Sequence, residues 1–155
     1  MTRKIIIDCD PGQDDAVALL LAFASPELEV LGVTTVGGNV PLELTHRNAR
    51  MICDIAGVNV PVFAGCDRPM RRPLKTAEYI HGETGIDGID VFEPATPLQD
   101  AHAVDFIIDT LEATDPSVDP LTLCPLGPLT NIGDVVTRRP DLLDRIEQID
   151  PELWS

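Results

Sequence analysis

Four carboxylates fall within eight residues near the start of the chain, in the run Asp8-Cys9-Asp10-Pro11-Gly12-Gln13-Asp14-Asp15. Pro11-Gly12 is turn chemistry, so the chain bends there and lets the acids converge. Like charges about 4 Å apart repel by about 1 kcal/mol in water and about 4 kcal/mol at an effective dielectric of 20. Two outcomes relieve that repulsion. Some acids keep their protons, with raised pKa, or a cation sits among them. All-oxygen ligands favour a hard cation, Ca2+ or Mg2+. Helix capping is the plainer account: Asp14 and Asp15 open a predicted helix, where negative charge is favoured by about 0.3–1 kcal/mol each. It covers one or two of the acids and leaves the others unexplained. An EF-hand needs Gly at its sixth loop position and Glu at its twelfth; counted from Asp8, Gln13 and Leu19 stand there. The glycine-rich phosphate loops are absent as well.

Two further stretches carry chemistry. Val33-Thr34-Thr35-Val36-Gly37-Gly38-Asn39 is a strand ending in two glycines and an amide. Glycines let the backbone approach a ligand closely, and Asn39 offers both a donor and an acceptor to a hydroxyl-rich ligand. The same tripeptide is also ordinary turn chemistry. In Leu123-Cys124-Pro125-Leu126-Gly127-Pro128-Leu129-Thr130-Asn131-Ile132, a strand runs through a Pro/Gly turn into a helix. Pro125 and Pro128 remove amide donors, and a carbonyl near Leu126 outside a helix ladder is a good hard-cation ligand.

The elements that position these groups alternate. Arg3–Cys9 reads as a strand and 14–25 as a helix, apolar almost all round and therefore expected to be buried. Leu28–Val36 is a second strand, and Leu42, Ala49, Ile52 and Ala56 mark a helix ending at Gly57. Residues 60–64 form a short third strand. The stretch 66–99, rich in Pro, Gly and charge, is an aperiodic loop of a length that is usually functional or disordered. Asp100 is expected to cap a helix bearing Val104, Ile107, Ile108 and Leu111. Leu121–Leu126 is a fourth strand, Leu129, Ile132 and Val136 mark a helix limited by Pro140, and 141–149 reads as another short helix. The pattern predicts an α/β fold with a mostly parallel sheet flanked by helices. Ligands of such sheets bind at the carboxyl ends of the strands. His46 and His102 are expected to be surface or capping residues.

Composition narrows the partners. The chain has 155 residues, 26 Asp and Glu against 11 Lys and Arg, and a net charge of −15. That length suits one domain, and a 44% apolar content can build a core. The negative balance argues against nucleic acid, which needs basic surface, and against an anionic membrane. It suits a cation site, or keeps the chain soluble. The longest apolar run is nine residues, 16–24, well short of the ~20 needed to span a bilayer. No secretory signal is visible at the start. The cysteines, Cys9, Cys53, Cys66 and Cys124, form no Cys-x-x-Cys pair. Reduced thiols in a cytoplasmic protein are expected.

Together, Ile6-Ile7-Asp8-Cys9-Asp10-Pro11-Gly12-Gln13-Asp14-Asp15-Ala16, Gly32–Asn39, His81-Gly82-Glu83-Thr84-Gly85 and Pro125–Ile132 resemble the inosine–uridine preferring nucleoside hydrolase family. The order and spacing fit from residue 3 to about 149. The resemblance implies a nucleoside hydrolase-like fold with a Rossmann-like core, and Ca2+-dependent hydrolysis of the N-glycosidic bond of ribonucleosides. It implies Ca2+ ligation by the carboxylates of Asp10 and Asp15 and by the backbone carbonyl of Leu126. Asp8 is implied as support behind those ligands, and Asp14 as general base. Asn39 would contact the ribose or the attacking water, and His81 would sit in a mobile loop closing over the nucleoside. Losing the base leaves an oxocarbenium-like ribosyl cation, and the metal orients water and lowers its pKa.

Members of that family are roughly twice this length. The resemblance therefore assigns 1–149 to the N-terminal half of a nucleoside hydrolase-like domain, an incomplete one, and 150–155 to a divergent tail. Half a parallel sheet leaves an open edge and an uncovered apolar face, so association with a second copy or with a missing half is expected. Two other readings stand beside the hydrolase. One is an inactive relic or a subunit that needs a partner. The other is a haloacid-dehalogenase-type phosphatase, with Asp8 as nucleophile, Asp10 as acid and Mg2+ bound; Gly12 and the Asp14-Asp15 pair fit it poorly.

Overall fold

A computed structural model describes residues 2–78, 82–86 and 88–149. Its elements are β1 (Arg3–Cys9), α1 (Gln13–Ala24), β2 (Leu28–Thr35), α2 (Leu42–Ala56), β3 (Val62–Ala64), α3 (Ala103–Glu112), β4 (Leu121–Pro125), α4 (Thr130–Arg138), a 3-10 helix (Pro140–Arg145) and β5 (Ile146–Ile149). The strands form one sheet in the order β3-β2-β1-β4-β5, every neighbouring pair parallel. The expected α/β class is what forms.

β1 lies at the centre because both of its faces are apolar. Ile5, Ile7 and Cys9 point to one face, against Leu19 and Ala22 of α1 and Ala49, Ile52 and Cys53 of α2. Ile6 points to the other, against Val104, Ile107 and Leu111 of α3, Ile132 and Val135 of α4, and Leu142. This alternation is the pleat of a strand covered on both sides. The chain steps from β1 to β2 and β3 on one side, then crosses to β4 on the other. The strand order therefore reverses beside β1, and the crevice above that reversal is where open parallel sheets bind ligands. Asp8 stands there, in register with Thr34 of β2 and Pro125 of β4.

Several expectations change. Residues 141–149 are not one helix. A 3-10 turn ends at Arg145, and Ile146–Ile149 becomes β5, because β4 would otherwise present an unpaired ladder edge. Asp100 does not cap α3. His102 does, with extended backbone and its Nδ1 accepting the Val104 N–H at 3.1 Å, while Asp100 lies exposed two residues earlier. α1 is not buried all round: Val17, Leu20 and Leu21 form an exposed stripe. His46 caps no helix and is only partly at the surface. It is half-buried within α2, its Nδ1 is buried without a partner among the described residues, and burial holds its pKa below the usual range.

Candidate functional site

Asp8 is almost wholly buried at the carboxyl end of β1, with 1% of its surface exposed. Two donors converge on its Oδ1, Thr34 Oγ1 at 2.7 Å and Asn131 Nδ2 at 2.7 Å. Its Oδ2 is buried and has no partner among the described residues. Burial outweighs both hydrogen bonds and pushes the pKa up to about 6.

The chain then turns, and Asp10 is held by Asn39 at the end of the β2 loop. The Asn39 N–H donates to Asp10 Oδ2 at 2.8 Å, and Asn39 Nδ2 donates to the Asp10 carbonyl at 2.9 Å. Two glycines close on the same carboxylate. A Cβ on Gly38 would lie 2.7 Å from Asp10 Cγ, and one on Gly127 would lie 2.5 Å from Oδ1. The glycines of both loops are thus room for Asp10 rather than turn residues alone.

Asp14 and Asp15 follow in the first turn of α1. Adjacent helix positions point about 100° apart, and here Asp15 turns inward while Asp14 stays exposed. Asp15 is buried, with Oδ2 unpartnered among the described residues. Burial first, then the charges of Asp10 and Asp14, push its pKa up to about 8. Burial also raises that of Asp10, against the lowering effect of the Asn39 N–H. The helix N-terminus favours negative charge here, yet desolvation is the larger effect. No ion pair among the described residues reaches Asp8, Asp10, Asp14 or Asp15.

Leu126 completes the wall. Its N–H donates to the Asp8 carbonyl at 2.7 Å, which draws the turn after β4 against β1. Among the described residues its own carbonyl accepts no hydrogen bond. Buried, unpartnered carboxylate oxygens beside a free carbonyl fit a hard cation. Among the described residues, no three His, Cys, Asp or Glu side chains group closely enough to hold a metal by themselves. The backbone oxygen, or groups from elsewhere, must complete such a set. A cleft of about 860 Å³ opens alongside, with Gly38 on one wall and Met70, Leu74, Pro128 and Leu129 on others.

Asp8, Asp10, Asp15, Leu126 and Asn39 therefore meet at the carboxyl ends of β1, β2 and β4, with Asp14 at the rim. Asn39 spends its side-chain amide on Asp10, a use the sequence did not reveal. His81 lies outside the described residues. Thr84, three residues on, is tied down by Asn48 of α2, which donates to the carbonyls of Thr84 at 2.7 Å and Pro11 at 3.3 Å. Asn48 and Asn131 were both missed by sequence reasoning. The signal each offered was an amide on a helix otherwise facing the apolar core.

The sequence profile of the inosine-uridine preferring nucleoside hydrolases matches residues 5–149. The chain belongs to that family. Within it, the chain is 47% identical over 152 residues to the inosine-uridine preferring nucleoside hydrolase of Leishmania major, covering 96% of this chain and 48% of that protein. It is 47% identical over 148 residues to the pyrimidine-specific ribonucleoside hydrolase RihB of Escherichia coli O1:K1, covering 95% and 46%. The solved purine-preferring ribonucleoside hydrolase of Gardnerella vaginalis superposes with a TM-score of 0.85 at 34% identity, covering 93% and 46%. The chain spans about half the length of these nucleoside hydrolases. Among the described residues, no helix is long and apolar enough to cross a membrane.

Proposed function

We propose that this chain carries the cation-binding part of a Ca2+-dependent nucleoside hydrolase, which splits a ribonucleoside and water into ribose and free base. The observation that carries this reading is the Asp10–Asp15 pair. Two buried acids, one of them with a bare carboxylate oxygen, stand near a free backbone carbonyl, and among the described residues no ion pair offsets them. Asp10, Asp15 and the Leu126 carbonyl would hold the ion, with Asp8 behind them. When bound, Ca2+ would supply charge that orients water and the ribose hydroxyls and lowers the water's pKa.

The chain's own residues do the rest. Asp14, exposed beside Asp15, takes the proton from the attacking water. A carboxylate near a cation is a weak base, so fixed geometry must supply much of the rate. The first turn of α1 gives Asp14 that fixity. Asn39, held against Asp10, presents its remaining amide oxygen to a ribose hydroxyl or the water. The relatives' names differ in base preference, inosine-uridine, pyrimidine and purine, and single out no nucleobase.

A second reading has support of its own. It is a subunit that turns substrate over only with a partner, a reading that fits a chain spanning about half the length of its relatives. The phosphatase reading fails on burial: a nucleophilic Asp8 would have to be exposed, and it is 1% exposed with one oxygen doubly hydrogen-bonded.

The test is a calorimetric Ca2+ titration of the pure chain and of Asp10→Ala, with ribose release from inosine and uridine followed in parallel. Binding that Asp10→Ala abolishes supports the site. Binding unchanged in that variant removes it.

A further inference from the structure

We propose that Asn131 is a positioning residue of the carboxylate site, acting through Asp8. Its side chain is wholly buried in the first turn of α4. Nδ2 carries two protons, and both are used, toward Asp8 Oδ1 at 2.7 Å and toward the Thr35 carbonyl at 2.9 Å. Its Oδ1 accepts the Cys66 N–H at 2.8 Å. One amide thus joins the ends of β1 and β2, the chain leaving β3, and α4. The enclosure is tight: a Cβ on Gly65 would lie 2.6 Å from Asn131 Cγ. Donors on one side and an acceptor on the other fix which way the amide faces.

Packing alone explains a buried side chain. It does not explain why Asn131 and Thr34 both donate to the same oxygen of a buried acid while the other oxygen stays bare. Two donors on Oδ1 prevent the carboxylate from rotating, and leave Oδ2 as the oxygen it presents. That is how outer groups orient a carboxylate toward a cation or its water. The inference rests on the cation site proposed above, and the test separates the two.

The test uses the whole chain and three variants. Asn131→Asp keeps the size of the side chain and an acceptor for the Cys66 N–H, but sets oxygen against Asp8 and Thr35. Thr34→Val removes the second donor without touching Asn131. Calorimetry with CaCl2 is expected to show affinity about 10–100-fold weaker in Asn131→Asp, and weaker in Thr34→Val as well. Full affinity in both overturns the proposal. The second readout needs no metal. The Asn131 Nδ2 protons, followed by NMR, are expected to exchange slowly with solvent and to be released by Asp8→Ala. Free exchange in the unaltered chain overturns the proposal, even where Asn131→Asp fails to fold. A chain that takes up no Ca2+ removes the cation reading, and slow exchange released by Asp8→Ala then still supports Asn131 as the partner that orients Asp8.

Discussion

Asn39 holds Asp10 twice, by its backbone N–H to Oδ2 at 2.8 Å and by its side-chain amide to the Asp10 carbonyl at 2.9 Å. The first bond survives any substitution that keeps the backbone in place. The second does not. Asn39→Ala is therefore expected to lower stability by about 1 kcal/mol, the usual net worth of such a bond, and to weaken Ca2+ binding through a looser Asp10. Chemical denaturation and calorimetry check the two effects separately. Unchanged stability and affinity would show that the amide does not restrain Asp10.

The glycines around Asp10 predict a steric result. Gly38→Ala and Gly127→Ala each place a methyl group against the Asp10 carboxylate. The carboxylate or the loop must shift, at about 1–3 kcal/mol for an overpacked site. Gly133→Ala on α4 is the control. Its Cβ meets only the flexible end of Met70, at 3.3 Å from Sδ, and Ala is the better helix former by about 1 kcal/mol. Unfolding curves should rank the control at or above the unaltered chain, and both site variants below it.

Stability of the metal-free chain should fall as pH rises. Asp8 and Asp15 titrate from an ordinary value near 3.8 up to about 6 and about 8 in the folded chain. Between those limits the folded state holds more protons than the unfolded one. Ionisation therefore favours unfolding progressively from about pH 4 to about pH 8. Melting temperatures across pH 5–8 should drop by several degrees, less so in Asp15→Asn. Added Ca2+ should restore the loss, with more effect at pH 8 than at pH 5, because the ion displaces protons from its ligands. A melting temperature that rises across this range contradicts the raised pKa values.

Asp14 and Asp15 should separate in function. Asp14 is exposed at the rim and Asp15 is buried. Asp14→Asn is expected to leave folding and Ca2+ affinity nearly unchanged. In any preparation that releases ribose, it should lower the rate by about 10²–10⁴-fold, as loss of a general base does. Asp15→Asn should abolish Ca2+ uptake. Equal loss of binding in both variants would remove the division of roles.

Much of the site was legible because its acids are neighbours in sequence. Asp8 to Asp15 lie on one strand, one turn and one helix, so pattern alone brings them together. Its supports were not legible, because they act at long range. The Asp8–Asn131 bond joins residues 123 apart in sequence, and the Asp10–Asn39 bonds join residues 29 apart. Only the assembled sheet places them together. The fold errors have local causes. Ile146–Ile149 is too short for periodicity to tell strand from helix. At the start of α3, Asp is the favoured cap by residue type, but His102 stands at the position with capping geometry.

The outer face of α1 is the place to look for association. Val17, Leu20 and Leu21 stand at helix spacings that share one face, and Val17 and Leu21 are 58% and 64% exposed. An apolar stripe on a helix is stabilised by burial against another surface, at about 25 cal/mol per Å². A second copy of this chain is the partner that pure protein offers. Sedimentation velocity at micromolar concentration should therefore show a species heavier than one chain. Val17→Lys with Leu21→Lys should return it to a single chain without lowering its melting temperature, since neither side chain belongs to the core. A single sedimenting chain before substitution would show that the stripe is tolerated in water. Persistent association after it would place the contact elsewhere.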